Sequence, residues 1–182
     1  DHNLPVDQVM IGSCTNSSYV DLMTVAAMVK GKHLPASVSL GIAPGSRQVL
    51  SALARNGALS DLIAFGARIL ESSCGFCIGN SMSPCTNSVS VRTSNRNFRG
   101  RSGTPNARVY LTSPLVAAAS TLTGKLTDPR DLGMDFPRID MPEHFEIDDS
   151  MIIPPLPAAK RTEIKICRGP NIGEPPINGP MP

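Results

Sequence analysis

Apolar residues in the first part of the chain alternate between short runs and a helical repeat. The run QVMIG at 8–12 is apolar and partly β-branched, which predicts a buried strand. In the next segment, SSYVDLMTVAAMVKGK at 17–32, apolar residues recur at helical spacing. The order of a strand followed by a helix is repeated. SVSLGIA at 37–43 is a second predicted strand, and PGSRQVLSALARNG at 44–57 is a predicted helix that ends at Gly57.

The same alternation continues further along the chain. Further strands are predicted in ARIL at 67–70, VSVRTS at 89–94 and ARVYLTS at 107–113, and further helices in ALSDLIAFG at 58–66 and SPLVAAASTLTG at 113–124. In the last of these, Ser113 is the predicted N-cap, Pro114 the first helical residue and Gly124 the stop. Strands that alternate with helices predict an α/β fold, in which a parallel sheet is flanked by helices and covered on both faces.

The pattern changes after Gly124. Of the 17 prolines in the chain, 11 lie in residues 125–182, and no periodic apolar pattern persists there. A run such as MIIPPLP at 151–157 is expected to be extended and at the surface, because proline cannot donate a hydrogen bond to a central sheet. The sequence therefore predicts two domains, an α/β domain in residues 1–124 and an extended connector in residues 125–182. The chain starts with Asp1 instead of Met, so we expect it to be a piece of a longer protein.

Composition and charge exclude several classes of partner. The formal net charge is +2 and the pI is about 8.4. Lys and Arg are scattered along the chain and do not form the basic cluster that would bind nucleic acid or a membrane surface. No apolar run approaches the roughly 20 residues that span a bilayer. The initial segment DHNLPVDQVM lacks the basic and apolar regions of a signal peptide. We therefore expect a soluble cytoplasmic protein that binds neither nucleic acid nor membranes.

The cysteines are odd in number and unevenly spaced, unlike a disulfide framework: Cys14, Cys74, Cys77, Cys85 and Cys167. Cys14 follows the strand predicted at 8–12 and precedes a helix predicted to open at residues 15–17. Cys74 and Cys77 follow the strand predicted in ARIL. Ligand sites in open parallel sheets collect at the carboxyl ends of strands, so these three soft ligands can converge there.

Several kinds of site fit these residues. A CxxC pair is typical of redox-active thiols and also of half a zinc site. With Cys85 as a fourth ligand, the set would match structural zinc or a fully ligated iron–sulfur cluster, whereas three ligands would leave one metal position open. Cys14 alone could equally be a small buried hydrophobic residue.

Four segments narrow this choice, namely IGSCTNSSYVDL, APGSRQVL, SSCGFCIGN and SNRNFRGR, which occur in this order. Together they resemble the aconitase superfamily of iron–sulfur hydro-lyases over about residues 7–124. The resemblance implies the fold of the third aconitase domain and a [4Fe–4S] cluster. In that family the cluster ligands correspond to Cys14, Cys74 and Cys77.

The four letters CTNS occur twice, at 14–17 and at 85–88. Cys85 matches no ligand of the family, and no strong apolar strand comes just before it. We therefore interpret the second copy as a chance repeat with a cysteine in a loop.

The resemblance also implies a reaction. In the family, an iron with an open face acts as a Lewis acid in the reversible dehydration of a hydroxy-polycarboxylate, such as citrate to isocitrate through cis-aconitate. Guanidinium groups bind carboxylates in bidentate geometry. The match places Arg96 and Arg101 on the carboxylates of a small tricarboxylate substrate and Asn95 beside cluster and substrate. Arg99 has no such match and is expected to face solvent.

Residues outside these roles have simpler interpretations. Asn16 is a candidate for a hydrogen bond near the cluster sulfurs and equally for a helix N-cap. Ser46 and Arg47 are expected to form a loop and the start of a helix. The histidines are expected at the surface: His2, His33 and His144.

The catalytic base and proton donor of the family come from other domains, so the segment is expected to be inactive alone and to act with the remaining domains of its parent chain. CRGPNI at 167–172 resembles the entry to the swivelling fourth domain of fused aconitases, which favours an aconitate hydratase acting on citrate. The alternatives are a fragment of a homoaconitase or of a 3-isopropylmalate dehydratase large subunit. A non-catalytic zinc-binding domain is the alternative of a different class.

Overall fold

The computed structural model describes residues 3–165, 167, 169 and 170, and its strands and helices follow the predicted order. The strands are β1 (Gln8–Gly12), β2 (Ser39–Ala43), β3 (Arg68–Ile69), β4 (Val89–Arg92) and β5 (Arg108–Leu111). The α-helices are α1 (Tyr19–Val29), α2 (Arg47–Arg55), α3 (Ala58–Phe65) and α4 (Pro114–Thr123). Short 3-10 turns occur at Phe76–Ile78, Pro129–Leu132 and Ala158–Glu163. Each predicted strand and helix is confirmed.

All neighbouring strands of the sheet are parallel, in the order β3-β2-β1-β4-β5. The chain builds the sheet outward from β1 to β3 and then returns to add β4 on the other side of β1. This arrangement confirms the predicted α/β class with a parallel sheet flanked by helices. A reversal of this kind leaves a crevice at the carboxyl ends of the two strands where it occurs, here β1 and β4.

The α-helices contribute to one hydrophobic core on one face of the sheet. Successive side chains of a strand point to opposite faces, so alternate positions of the inner strands supply the sheet side of this core. These sheet residues are Val9, Ile11, Leu40, Ile42, Val89 and Val91. The helices cover them with buried residues that include Leu22, Val25, Leu53, Leu62 and Ala118.

The other face of the sheet is covered by the loop between β3 and β4, residues 70–88. Met10 points to this face and packs in a second buried cluster with Phe76 and Cys77, and the half-buried Met82 packs against this cluster. Both faces are therefore covered, as predicted. The cover on this second face is the CxxC segment itself, which places the cysteine pair against the sheet.

The start of α1 differs from the prediction. The helix begins at Tyr19, where Ser18 and Asp21 form a capping box: the Ser18 hydroxyl accepts from the Asp21 N–H and the Asp21 carboxylate accepts from the Ser18 N–H. The predicted opening at residues 15–17 is wrong, because this cap fixes the first turn further along the chain. Residues 15–17 are thereby left in the loop after β1.

The chain divides into two compact units, Asp1–Ile147 and Asp148–Pro182. The first extends past the predicted limit at residue 124, because the Leu126 N–H donates to the Leu4 carbonyl at 2.8 Å and the Leu126 side chain packs against the main core. In the second unit, the run at 151–157 is exposed and lies outside helices and strands. None of the helices in the described residues has the length and apolarity of a membrane span.

Candidate metal centre

The chain turns sharply between β1 and Cys14. Gly12 has a φ of +135°, a conformation that glycine tolerates and other residues rarely adopt. A Cβ at this position would lie 2.1 Å from the carbonyl oxygen of Ala43 on β2. Ser13 follows with a φ of +87°, which a residue with a side chain keeps only where its surroundings hold it. This turn leaves Cys14 exposed at the carboxyl end of β1.

Hydrogen bonds fasten the loop after β1 to the loop after β4. The buried Thr93 hydroxyl accepts from the Gly12 N–H at 2.8 Å and donates to the Gly12 carbonyl at 3.0 Å. The Asn16 side-chain amide donates to the Thr93 carbonyl at 2.5 Å. Within the first loop, the Ser17 hydroxyl donates to the Ser13 carbonyl. The two loops at the reversal of the sheet are therefore held as one unit.

A further link places Asn95 close to Cys14. The Asn95 Nδ2 donates to the Thr15 hydroxyl at 3.2 Å. The same hydroxyl oxygen lies 3.6 Å from the Cys14 Sγ. Asn95 thus contacts the direct neighbour of a predicted cluster ligand.

The CxxC pair lies in a tight turn. Phe76–Ile78 form a 3-10 turn, and the Asn80 N–H donates to the Gly75 carbonyl at 2.9 Å. The turn exposes Cys74 and leaves Cys77 only 8% exposed. A cleft of about 550 Å³ opens beside Cys74. One thiol of the pair is therefore accessible and the other lies against the sheet.

Cys14 and Cys74 both lie close enough to Cys77 to affect the charge of its thiol. Burial raises the pKa of the Cys77 thiol, and the neighbouring Cys74 and Cys14 raise this pKa further, because a thiolate disfavours a second negative charge nearby. The Arg92 guanidinium acts in the opposite direction. Three thiolates at this place would repel one another, and a metal bound between them would remove that repulsion.

The loop after β4 carries three arginines. Arg101 is half-buried, with its guanidinium carbon 5.5 Å from the centre of the Phe98 ring. Its Nε is buried and has no hydrogen-bond partner in the described residues, which is costly for a charged donor. Arg96 is exposed. Arg99 is also exposed, as expected, and donates to Asn106 Oδ1 at 3.3 Å.

Two contacts join the CxxC turn to this arginine loop. Gly79 has a φ of +79°, and a Cβ there would lie 2.6 Å from the Ser102 carbonyl oxygen. The Thr104 hydroxyl donates to the Pro84 carbonyl at 2.7 Å. The Cys14 loop, the CxxC turn and the arginine loop are thereby linked at one region of the molecule.

The segment that contains these three loops matches a known protein family. The model of the aconitase family (aconitate hydratase) matches residues 1–124. The chain belongs to the aconitase family. The matched region includes the whole sheet and each residue that the sequence predicts to bind a cluster or a substrate.

Curated relatives of this aconitase-family chain are large subunits of hydro-lyases. It is 48% identical over 128 residues to the homoaconitase large subunit of Thermus thermophilus. The aligned region covers 70% of this chain and 31% of that protein. It is 44% identical over 128 residues to the 3-isopropylmalate dehydratase large subunit of Herpetosiphon aurantiacus, with coverage of 70% and 30%. A 3-isopropylmalate dehydratase large subunit of Archaeoglobus fulgidus is 41% identical over 128 residues, with coverage of 70% and 31%. The chain spans less than a third of the length of these relatives.

The donors at the centre of this aconitase-family domain suit iron–sulfur chemistry. Thiolates are the protein ligands of iron–sulfur clusters, and here three thiols come from two loops that the fold links together. All three are free. In the described part of the chain, no three Cys, His, Asp or Glu side chains are arranged to hold a single metal ion. The ligand roles of Cys14, Cys74 and Cys77 stay a prediction.

Two polar residues near the loops have structural roles. Asn16 is not the N-cap of α1, because Ser18 takes that position and the Asn16 amide donates to Thr93 instead. Ser46 caps α2 by accepting from the backbone at 3.1 Å, and Arg47 is the first residue of that helix. The predicted helix-start role of Ser46 is confirmed.

The histidines and Cys85 have no predicted role at the centre. His33 and His144 are exposed, as expected, and His2 lies outside the described residues. Cys85 is exposed in a turn before β4, where its carbonyl accepts from the Ser88 N–H at 3.1 Å. The second CTNS thus precedes a strand, whereas the first follows one.

Two residues that position the loops are missed by sequence reasoning. The Thr93 hydroxyl forms hydrogen bonds with both the N–H and the carbonyl of Gly12. Arg92 lies beneath the CxxC turn and donates to the Phe76 carbonyl. For Arg92 the sequence carries one signal, because the alternation in VSVR places Ser90 and Arg92 on one face of a strand predicted to be buried. For Thr93 the sequence carries no comparable signal.

Proposed function

We propose that this chain carries the [4Fe–4S] cluster of an aconitase-family hydro-lyase, with Cys14, Cys74 and Cys77 as its ligands. The observation that supports the proposal is that Cys14 and Cys74, which come from two separate loops, both lie close enough to Cys77 to raise the pKa of its thiol. When bound, a cluster with three protein ligands supplies a Lewis-acidic iron with an open position. The chain's own contribution is to hold the sulfurs on loops fastened at the end of the sheet.

The arginine loop is proposed to bind the carboxylates of the substrate. The buried Nε of Arg101 has no acceptor within the described part of the chain, and a carboxylate is the acceptor that a guanidinium binds in bidentate geometry. Arg96 supplies a second positive charge on the same loop. Asn95 extends from this loop to Thr15 and so connects the carboxylate-binding side with the Cys14 side. Two cations near a thiolate site favour a substrate with two or more carboxylates.

The substrate class follows from these charges and from the relatives. We propose a hydroxy-di- or tricarboxylate, with citrate and isocitrate as the first candidate. The relatives named homoaconitase and 3-isopropylmalate dehydratase favour a second candidate, a homocitrate- or isopropylmalate-type substrate. The base and the proton donor are proposed to come from the remaining domains of a longer enzyme, which are the chain's expected partners.

Anaerobic reconstitution tests the cluster proposal. The chain, incubated with ferrous iron, sulfide and a thiol reductant, is expected to turn brown and to bind about four iron and four sulfide. Metal and acid-labile sulfide analysis of the desalted protein measures this. One zinc per chain with no sulfide would contradict the proposal and support the zinc-binding alternative.

Replacing Arg101 by Met is expected to weaken substrate binding to the reconstituted chain by about 10- to 100-fold, since hydrogen bonds to charged groups contribute about 1.5–3 kcal/mol. Calorimetric titration with citrate, homocitrate and isopropylmalate measures the affinity and ranks the two substrate candidates. Arg99→Met is the matched control and is expected to bind like the unsubstituted chain. Equal losses in both variants would contradict a specific role for Arg101.

A further inference from the structure

Arg92 is fully buried at the end of β4, beneath the loop that carries the CxxC pair. Its relative exposure is 0%, which is rare for arginine. The guanidinium donates to side chains of the sheet at two points, Ser90 Oγ at 2.9 Å and Gln8 Oε1 at 2.8 Å. It also donates to two backbone carbonyls of the loop, Phe76 at 2.5 Å and Met82 at 3.0 Å. One side chain therefore connects two strands with the CxxC loop.

One of these carbonyls belongs to Phe76, the first residue of the 3-10 turn, and the other to Met82, which follows the turn. Phe76 directly precedes Cys77, and its ring centre lies 5.8 Å from the Arg92 guanidinium carbon. Met82 has a φ of +46°, which is uncommon for a residue with a side chain. Its carbonyl accepts from Arg92 and also from Gln8 Nε2 at 3.1 Å. The unusual conformation of Met82 is thus held by donors on the sheet.

Among the described residues, no carboxylate balances the charge of Arg92. In the described part of the chain, the ion pairs with Asp or Glu involve other cations. Burial lowers the pKa of the Arg92 guanidinium to about 10, and the charge of Cys77 opposes this shift. The group is a cation at neutral pH. Because a buried cation without a counter-ion is costly, negative charge on the CxxC thiols would stabilise this arrangement.

We propose that Arg92 is a positioning residue and the buried counter-cation of the CxxC loop. Its hydrogen bonds fix the turn that presents Cys74 and Cys77, and its charge balances the negative charge that the thiolates introduce. The first part concerns the chain by itself. The second part rests on the proposed function, in which those thiolates hold an iron–sulfur cluster.

Hydrogen exchange of the metal-free chain tests the first part. Arg92→Met removes the hydrogen bonds and the charge, and it is expected to speed backbone exchange in residues 74–82 by on the order of tenfold. Exchange in α4 is expected to stay unchanged and serves as the internal reference. Arg108→Met is the matched control, because Arg108 is an exposed arginine on the neighbouring strand β5.

The reconstituted chain tests the second part. Arg92→Met and Arg92→Gln are expected to release iron to a chelator about tenfold faster and to shift the reduction potential of the cluster downward, since a lost positive charge disfavours the more negative reduced state. Arg92→Lys keeps the charge and is expected to retain a potential near that of the unsubstituted chain. If Arg92 had only a structural role, the reduction potential of the cluster would not depend on whether the substituted side chain is charged.

These measurements distinguish a failure of the proposed cluster function from a failure of the roles proposed for Arg92. If the unsubstituted chain binds no iron, the proposed function fails, and the exchange measurement still decides whether Arg92 holds the loop. A folded Arg92→Met variant with unchanged exchange would overturn the positioning role. Equal potentials in Arg92→Lys and Arg92→Gln would overturn the counter-cation role. If Arg92→Met does not fold, Arg92→Lys and Arg92→Gln carry both measurements.

Discussion

Replacing Cys14 by Ser is expected to abolish the uptake of iron and sulfide, whereas the same replacement at Cys85 is expected to leave uptake unchanged. A serine hydroxyl is a poor ligand for iron because it does not ionise as a thiol does, so the variant keeps only two of three proposed ligands. Cys74→Ser and Cys77→Ser are expected to behave like Cys14→Ser. Iron and sulfide per chain and the visible absorption after reconstitution measure the difference.

Cys85→Ser is a matched control for Cys14→Ser. Both cysteines are exposed, and both lie in a CTNS sequence, so the two substitutions have the same local chemistry. Neither is expected to change the free energy of unfolding by more than about 0.5 kcal/mol, since surface substitutions have small effects. Circular dichroism and thermal melts verify this. Equal loss of iron in both variants would overturn the assignment of the ligands.

Periodicity is sufficient to predict the strands and helices of this chain. The central strand β1 is almost entirely apolar because both faces of the sheet are covered, as QVMIG shows, whereas VSVR in β4 alternates apolar and polar residues. The edge strand β3 was predicted over residues 67–70 and is confined to Arg68–Ile69. It pairs with a strand on one side only, through Gly41 and Ile42, so pairing supports fewer of its residues.

The start of α1 shows why local signals can fail. Residues 15–17 carry side chains that commonly cap helices, and the sequence pattern cannot distinguish them from Ser18. Two interactions decide between them in the folded chain. Asp21 completes a capping box with Ser18, and Asn16 donates to Thr93, a residue far away in sequence. The second of these depends on the pairing of β1 with β4, which periodicity does not reveal.

The candidate site is predicted in part. Motif resemblance identifies Cys14, Cys74 and Cys77 and the arginine loop, and the roles of these residues stay predictions. How the loops are held in place depends on contacts between distant segments, such as Thr93 with Gly12 and Arg92 with Phe76. The loop at 70–88 has no hydrophobic period, so its position across the second face of the sheet could not be predicted. Arg92 acquires its partners only through that position.

Replacing Gly12 by Ala is expected to lower the free energy of unfolding by about 3 to 5 kcal/mol. The φ of +135° disfavours any residue with a Cβ, and the added methyl group would lie 2.1 Å from the Ala43 carbonyl oxygen. This oxygen belongs to the backbone of β2, which pairs with β1 in the register Gly12↔Ala43. The strands can separate only by losing hydrogen bonds of the sheet. Urea unfolding followed by circular dichroism measures the loss.

Gly31→Ala is the matched control for Gly12→Ala. Gly31 also has a positive φ, +70°, but this value is close to the left-handed region that other residues can adopt, and nothing lies within 4 Å of an added Cβ, so this variant has a milder backbone strain and no clash. Its expected loss is about 1 to 2 kcal/mol. A Gly12→Ala variant as stable as Gly31→Ala would contradict the close approach of β1 and β2. If that approach is correct, Gly12→Ala also displaces the Cys14 loop, so iron uptake falls in this variant and persists in Gly31→Ala.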